Sequence, residues 1–83
     1  MSVFLTKEAQ KQYKKLTQSD KEKIDKKEIL LKNEPFTGKK LSGKYKEIRS
    51  LKAWPYRIIY FFNERKKEIW IVSILHRQGV YKK

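Results

Sequence analysis

The sequence predicts an α+β fold of order βααβββ, an N-terminal helical hairpin packed on a small antiparallel sheet. Three observations predict it. Residues 7–32 hold two lysine-rich segments with apolar positions at helical spacing. Two aromatic and β-branched runs, "YRIIYFF" and "EIWIVSIL", follow with only "NERKK" between them, the pattern of a hairpin. The stretch joining the halves, "NEPFTGKKLSGKY", carries one of the two prolines and two of the three glycines.

Each element has its own reason. "SVFL" reads as a short first strand with Val3 and Leu5 on one face. Thr6 suits the cap of a helix starting at Lys7, and Glu8 favours its first turn. Ala9, Tyr13 and Leu16 then fall at i, i+4 and i+7, one apolar stripe. "SDKE" is a capping-box pattern, Ser19 with Glu22, so the second helix is expected to start there. It runs through Ile24 and Leu31 to about Lys32, with Ile29 off the stripe, and Pro35 stops it. The "NEPFTGKKLSGKY" stretch is expected to be a loop. "KEIRSLK" reads as an irregular strand, since Ile48 and Leu51 differ in parity and a bulge would reconcile them. "YRIIYFF" and "EIWIVSIL" are buried strands, "NERKK" a turn and "HRQGVYKK" a tail. With 83 residues and no repeats, one domain spanning 1–83 is expected.

Charge is the louder signal. Lys and Arg number 22 against 9 Asp and Glu, a net +13. Such self-repulsion costs stability and points to a polyanionic partner. The chain has no cysteine, which excludes disulfides, thiolate metal sites and cysteine nucleophiles. One histidine among scattered carboxylates makes a poor zinc site, so neither metal nor cofactor is expected. Nothing resembles a signal peptide or a membrane span, and a cytoplasmic protein is expected.

A hairpin closed by "NERKK" with Asn63 opposite Glu68 makes facing residue numbers sum to roughly 131. Arg57 then faces Ile74 and lies diagonal to His76, about 7–8 Å away. A slip of one residue would put Arg77 on that face instead. The short "AWP" connection returns Lys52 to the same end. Lys52, Arg57, His76, Arg77 and Tyr81 are therefore expected to gather there. Taken singly, each has a plainer reading: a solvated cation, a strand-end histidine, an anchoring tyrosine. Arg57 is the exception, because between Tyr56 and Ile58 its charge costs desolvation unless paired.

The βααβββ order, "EPFTGKKLSGKY", "SLKAWPYRIIYFF" and the closing "HRQGVY" together resemble the RelE/ParE family of toxins over nearly the whole chain. The resemblance is to the RelE branch, whose members are ribosome-dependent endoribonucleases that cut mRNA in the A site and are held in check by a cognate antitoxin. It implies a RelE-like fold and metal-independent attack of the ribose 2′-hydroxyl on the scissile phosphate, leaving a 2′,3′-cyclic phosphate and a 5′-hydroxyl. It also implies roles. Lys52 matches a basic position ahead of the "YR" strand, and Arg57 the arginine that handles the phosphate. Arg77 matches a basic position near the last strand's end, and Tyr81 a C-terminal tyrosine used in stacking or proton transfer. His76 has counterparts in other "HR" endings. Ile48 and Ser50 stand where the best-known member has two lysines, and Arg49 is a substitute in charge.

The residue types suit that chemistry. Cleavage needs a base, an acid and cations for charge building on phosphate. Arginine binds phosphate at two points, and histidine titrates near neutrality. Lys11, Lys14, Lys15, Lys23, Lys26 and Lys27 would hold ribosomal RNA by charge, while Trp54 or Tyr81 could stack on a base. An acidic antitoxin is the protein partner that the net charge calls for. Two other readings remain open at this point: a ParE-like inhibitor of DNA gyrase, and a non-catalytic basic RNA-binding protein.

Overall fold

A computed structural model of the chain describes residues 1–42 and 48–77. The elements run β1 (Ser2–Leu5), α1 (Lys7–Lys14), α2 (Gln18–Asn33), β2 (Lys39–Ser42), β3 (Ile48–Ala53), β4 (Tyr56–Asn63) and β5 (Glu68–His76). The strands form one sheet in the order β1-β5-β4-β3-β2.

Threonines set both helix starts. Thr6 Oγ1 accepts from the Ala9 amide at 3.2 Å and donates to the Val72 carbonyl at 2.9 Å, so the cap of α1 also ties it to β5. Thr17 Oγ1 accepts from the Asp20 amide at 3.2 Å. Helix α2 therefore begins at Gln18, with Thr17 rather than the expected Ser19 as its cap. Ala9, Ile24 and Leu31 of the helices are fully buried against Leu51, Ala53, Ile58, Tyr60, Phe62, Ile69, Ile71 and Ile74 of the sheet.

The α+β class stands, with three corrections of detail. The sheet is mixed, because β1 pairs with β5 in parallel, Val3 opposite Ile69 and Leu5 opposite Ile71. The helical hairpin frees β1 from the tight-turn constraint that makes β3, β4 and β5 antiparallel. Second, "KKLS", expected in a loop, is strand β2, with Lys39 opposite Ser50 and Lys40 opposite Arg49. Third, β3 is regular, pairing without a break from Ile48↔Phe61 to Ala53↔Tyr56. The irregularities lie elsewhere, an extra Leu41 in β2 and an extra Val72 in β5.

The Val72 bulge matters for packing. It turns Ile74 rather than Ser73 onto the side of Ile58, so β5 keeps an apolar row through its length. Strand parity then divides the sheet. Arg49, Leu51, Ala53, Tyr56, Ile58, Tyr60 and His76 lie on the helix-backed face. Ile48, Ser50, Lys52, Arg57, Ile59, Phe61 and Trp70 lie on the other. Among the described residues no helix is long and apolar enough to cross a membrane.

Candidate functional site

Away from the helices, Lys52 and Arg57 are direct cross-strand partners at the end of the β3–β4 hairpin, and both are exposed. Such partners have Cβ atoms about 4.5–5.5 Å apart, and like charges placed so are destabilising. Strand β2 brings Lys39 opposite Ser50 on the same face. Lys39, Lys52 and Arg57 line one cleft of about 480 Å³ with Thr37, Leu41, Ser50 and Leu51. No carboxylate among the described residues forms an ion pair with these three cations. Their shared cleft is therefore a ready site for an anion with several oxygens.

The other face of the same strands holds the chain segment that leads into β2. Tyr60 Oη donates to the Pro35 carbonyl at 2.8 Å and accepts from the Gly38 amide at 3.0 Å. Arg49 Nη1 donates to the carbonyls of Gly38 at 2.8 Å and Phe36 at 3.2 Å, and its guanidinium lies 5.0 Å from the Phe36 ring centre. Burial pushes the Tyr60 phenol up, partly offset by the Gly38 amide and Arg49. A Cβ on Gly38 would sit 2.7 Å from Tyr60 Oη and 3.0 Å from the Ser50 carbonyl. Only glycine lets the chain pass that close, and the next residue is Lys39. Arg49 thus anchors the approach to β2 from the face opposite Lys52 and Arg57.

His76 shares this end of the sheet but not its open face. Beyond the Val72 bulge the register moves by one, so Arg57 faces Leu75, not the expected Ile74, and His76 faces Tyr56. The expected diagonal of Arg57 and His76 is thereby lost: they occupy opposite faces. The His76 and Tyr56 rings meet edge to face with centres 5.2 Å apart. Tyr56 Oη donates to Asp20 Oδ2 at 2.9 Å, and Lys23 Nζ lies 3.5 Å from Asp20 Oδ1. The Tyr56 hydrogen bond, helped by Lys23, holds the Asp20 carboxyl below its usual range, while burial and that same bond push the Tyr56 phenol up. The Arg77 amide donates to the Pro55 carbonyl at 2.8 Å, and its guanidinium lies 5.0 Å from the centre of the Trp54 indole. The Trp54–Pro55 peptide is cis. Tyr81 lies outside the described residues.

Of the helix lysines, Lys11, Lys14, Lys15, Lys23 and Lys26 are exposed and Lys27 is half-buried. Among the described residues no group of three or more His, Cys, Asp or Glu side chains is placed to hold a metal ion. Two features of this region escaped the sequence reading. Lys39 was hidden inside the expected loop, although Thr37, Lys39 and Leu41 have strand spacing and all line the cleft. The Tyr56–Asp20 link joins residues 36 positions apart and leaves no local signal.

Residues 3–81 match the family described as ParE toxin of type II toxin-antitoxin system, parDE. No curated protein matches the chain. Among solved structures, the archaeal RelE–RelB complex from Pyrococcus horikoshii OT3 superposes with a TM-score of 0.83 at 23% identity, covering 92% of this chain and 93% of that one. The intact E. coli RelBE toxin–antitoxin complex gives 0.75 at 19% identity, covering 90% and 94%. The isolated E. coli RelE toxin gives 0.73 at 22%, covering 90% and 82%. At such identities the likeness is one of fold, and the fold is RelE-like. The match over nearly the whole sequence shows that the chain belongs to the ParE toxin family of type II toxin–antitoxin systems.

Proposed function

We propose that this member of the ParE toxin family works as a RelE-type endoribonuclease, cutting mRNA in the ribosomal A site in the cytoplasm and silenced by an acidic antitoxin. One observation carries the reading: Lys52 and Arg57 stand side by side, both exposed, in a cleft that also holds Lys39. A protein that acts by binding another protein has no need to keep cations together at that cost. The antitoxin part rests on the family and on the net +13.

In the reaction, the ribose 2′-oxygen bonds to phosphorus while the bond to the 5′-oxygen breaks. The 2′-proton passes to solvent water, and the departing 5′-oxygen takes one up. Negative charge builds on the non-bridging oxygens, where the Arg57 fork contacts two of them and Lys39 adds charge. Lys52 supplies a proton to the leaving oxygen. Arg77 and Tyr81 complete the set from the C-terminal segment, and His76 supports that segment through Tyr56. Lys11, Lys14 and Lys15 hold ribosomal RNA by charge, a term that weakens as salt rises.

The test adds purified protein to programmed ribosomes and to bare mRNA, then maps the ends. Cuts on ribosomes bearing 2′,3′-cyclic phosphates, with little cutting of bare RNA, are expected. Inhibition of gyrase supercoiling with no RNA cutting would overturn the reading.

A further inference from the structure

A second hollow lies on the opposite side of the same sheet end, between α2 and the β3–β4 turn. It measures about 280 Å³ and is lined by Lys23, Lys26, Lys27, Leu30, Ala53 and Trp54. Trp54 is 64% exposed, the most exposed large hydrophobic residue among those described. Its ring is held at the turn by the Arg77 guanidinium. Lys23, Lys26 and Lys27 stand at i, i+3 and i+4 on α2, so they share one side of the helix, with Lys23 also 3.5 Å from Asp20 Oδ1.

An aromatic plate bordered by clustered ammonium groups is the chemistry that receives an unpaired nucleotide: the base stacks, and the flanking phosphates meet the cations. The volume falls just below the range of about 300–1,000 Å³ typical of small-molecule pockets, room for one base rather than a helix or a duplex. Placement agrees as well. Lys52 lines the open cleft and Ala53, the next residue of β3, lines this hollow. A single strand leaving the cleft around the turn meets Trp54.

We propose that the hollow between α2 and Trp54 is a second RNA subsite, taking one unpaired nucleotide with its base on Trp54 and its phosphates against Lys23, Lys26 and Lys27. The inference rests on the ribonuclease reading for its place in the reaction, though not for the binding itself. The probe is a short single-stranded 2′-O-methyl oligonucleotide, which cannot be cut. In a Trp70→Phe protein, where Trp54 is the remaining tryptophan, saturable quenching is expected. In the wild-type protein, a shift of the Trp54 indole N–H resonance reports the same contact. Trp54→Ala should weaken binding about tenfold by fluorescence anisotropy, the scale of one stacked base. Replacing Lys26 and Lys27 by Ala should lower the salt slope by roughly one to two. Oligonucleotide binding without any change at Trp54 would overturn the subsite. So would equal quenching by an abasic strand or by polyglutamate, which would mean charge alone. Quenching in a protein that fails to cut on ribosomes would sink the ribonuclease reading and leave the subsite standing.

Discussion

The same two strands, β3 and β4, present opposite physics on their two faces. Toward the helices, polar groups are matched: Tyr60 to Pro35 and Gly38, Arg49 to Phe36 and Gly38, Tyr56 to Asp20. Away from them, Lys52 and Arg57 face each other with Lys39 in the same cleft, and no carboxylate among the described residues is paired to any of the three. The first face gains stability from its polar contacts, and the second forgoes it. Period-two alternation lets the six residues of β3 serve both faces: Arg49, Leu51 and Ala53 turn toward the helices, and Ser50 and Lys52 turn toward the cleft.

The contrast breaks most sharply at Arg57. Arg57→Ala is expected to lower single-turnover cleavage on ribosomes by about 10²–10³-fold, the range for losing one transition-state charge donor. Its thermal stability should stay at or slightly above wild type, because a like-charge contact with Lys52 is removed. A large loss of stability instead would make Arg57 a structural residue and erase the distinction between the faces.

On the helix-backed face the order of effects reverses. Gly38→Ala forces a methyl group to within 2.7 Å of Tyr60 Oη, so the Tyr60 latch or the β2 backbone must shift. Overpacking of this kind costs about 1–3 kcal/mol. Denaturant unfolding should show that loss, and cleavage should fall with it because Lys39 follows directly. Wild-type stability for Gly38→Ala would show that β2 does not depend on this close passage.

What the sequence revealed follows the same division. Helices with clear stripes and strands with β-branched runs were legible because periodicity is local. The hairpin register was legible from its turn as far as Tyr60, which faces Ile71 as counted. It then failed by one residue at Val72, since a bulge is selected by packing against helices distant in sequence. That one residue moved His76 off the face of Arg57. Strand β2 was missed because glycine and proline mark a loop, whereas Tyr60 and Arg49, 11 to 22 positions from Gly38, turn it into an edge strand. The pairing of Lys52 with Arg57 was within reach, needing only the short turn between them.

A smaller effect sharpens the comparison through pH. Asp20 has a lowered carboxyl, so its contribution to stability is present above the ordinary carboxylate range and is lost as pH falls through that lowered value. Tyr56→Phe removes the largest cause, returning Asp20 toward its ordinary value. The acid-unfolding midpoint, followed by circular dichroism, should therefore move to higher pH. Stability at neutral pH should change less than in Gly38→Ala, and cleavage should hold. An unmoved acid limb would mean that the Tyr56–Asp20 bond contributes nothing to linking α2 with the sheet.

His76 gives the smallest expected change and the finest test. It follows the bulge, lies opposite Tyr56 and meets that ring edge to face. Lys52 and Arg57 project from the other face, so a proton relay from His76 to a phosphate in their cleft would have to cross the sheet end. His76→Gln is therefore expected to leave single-turnover cleavage within a few-fold, against about 10²-fold for loss of a general acid or base. The Tyr56 ring loses one edge contact, which should show as a small drop in thermal stability with no change in the pH profile of cleavage. A loss on the order of 10²-fold together with an altered pH profile would put His76 at the reacting phosphate. The active site would then wrap around the end of the sheet instead of lying on one face of it.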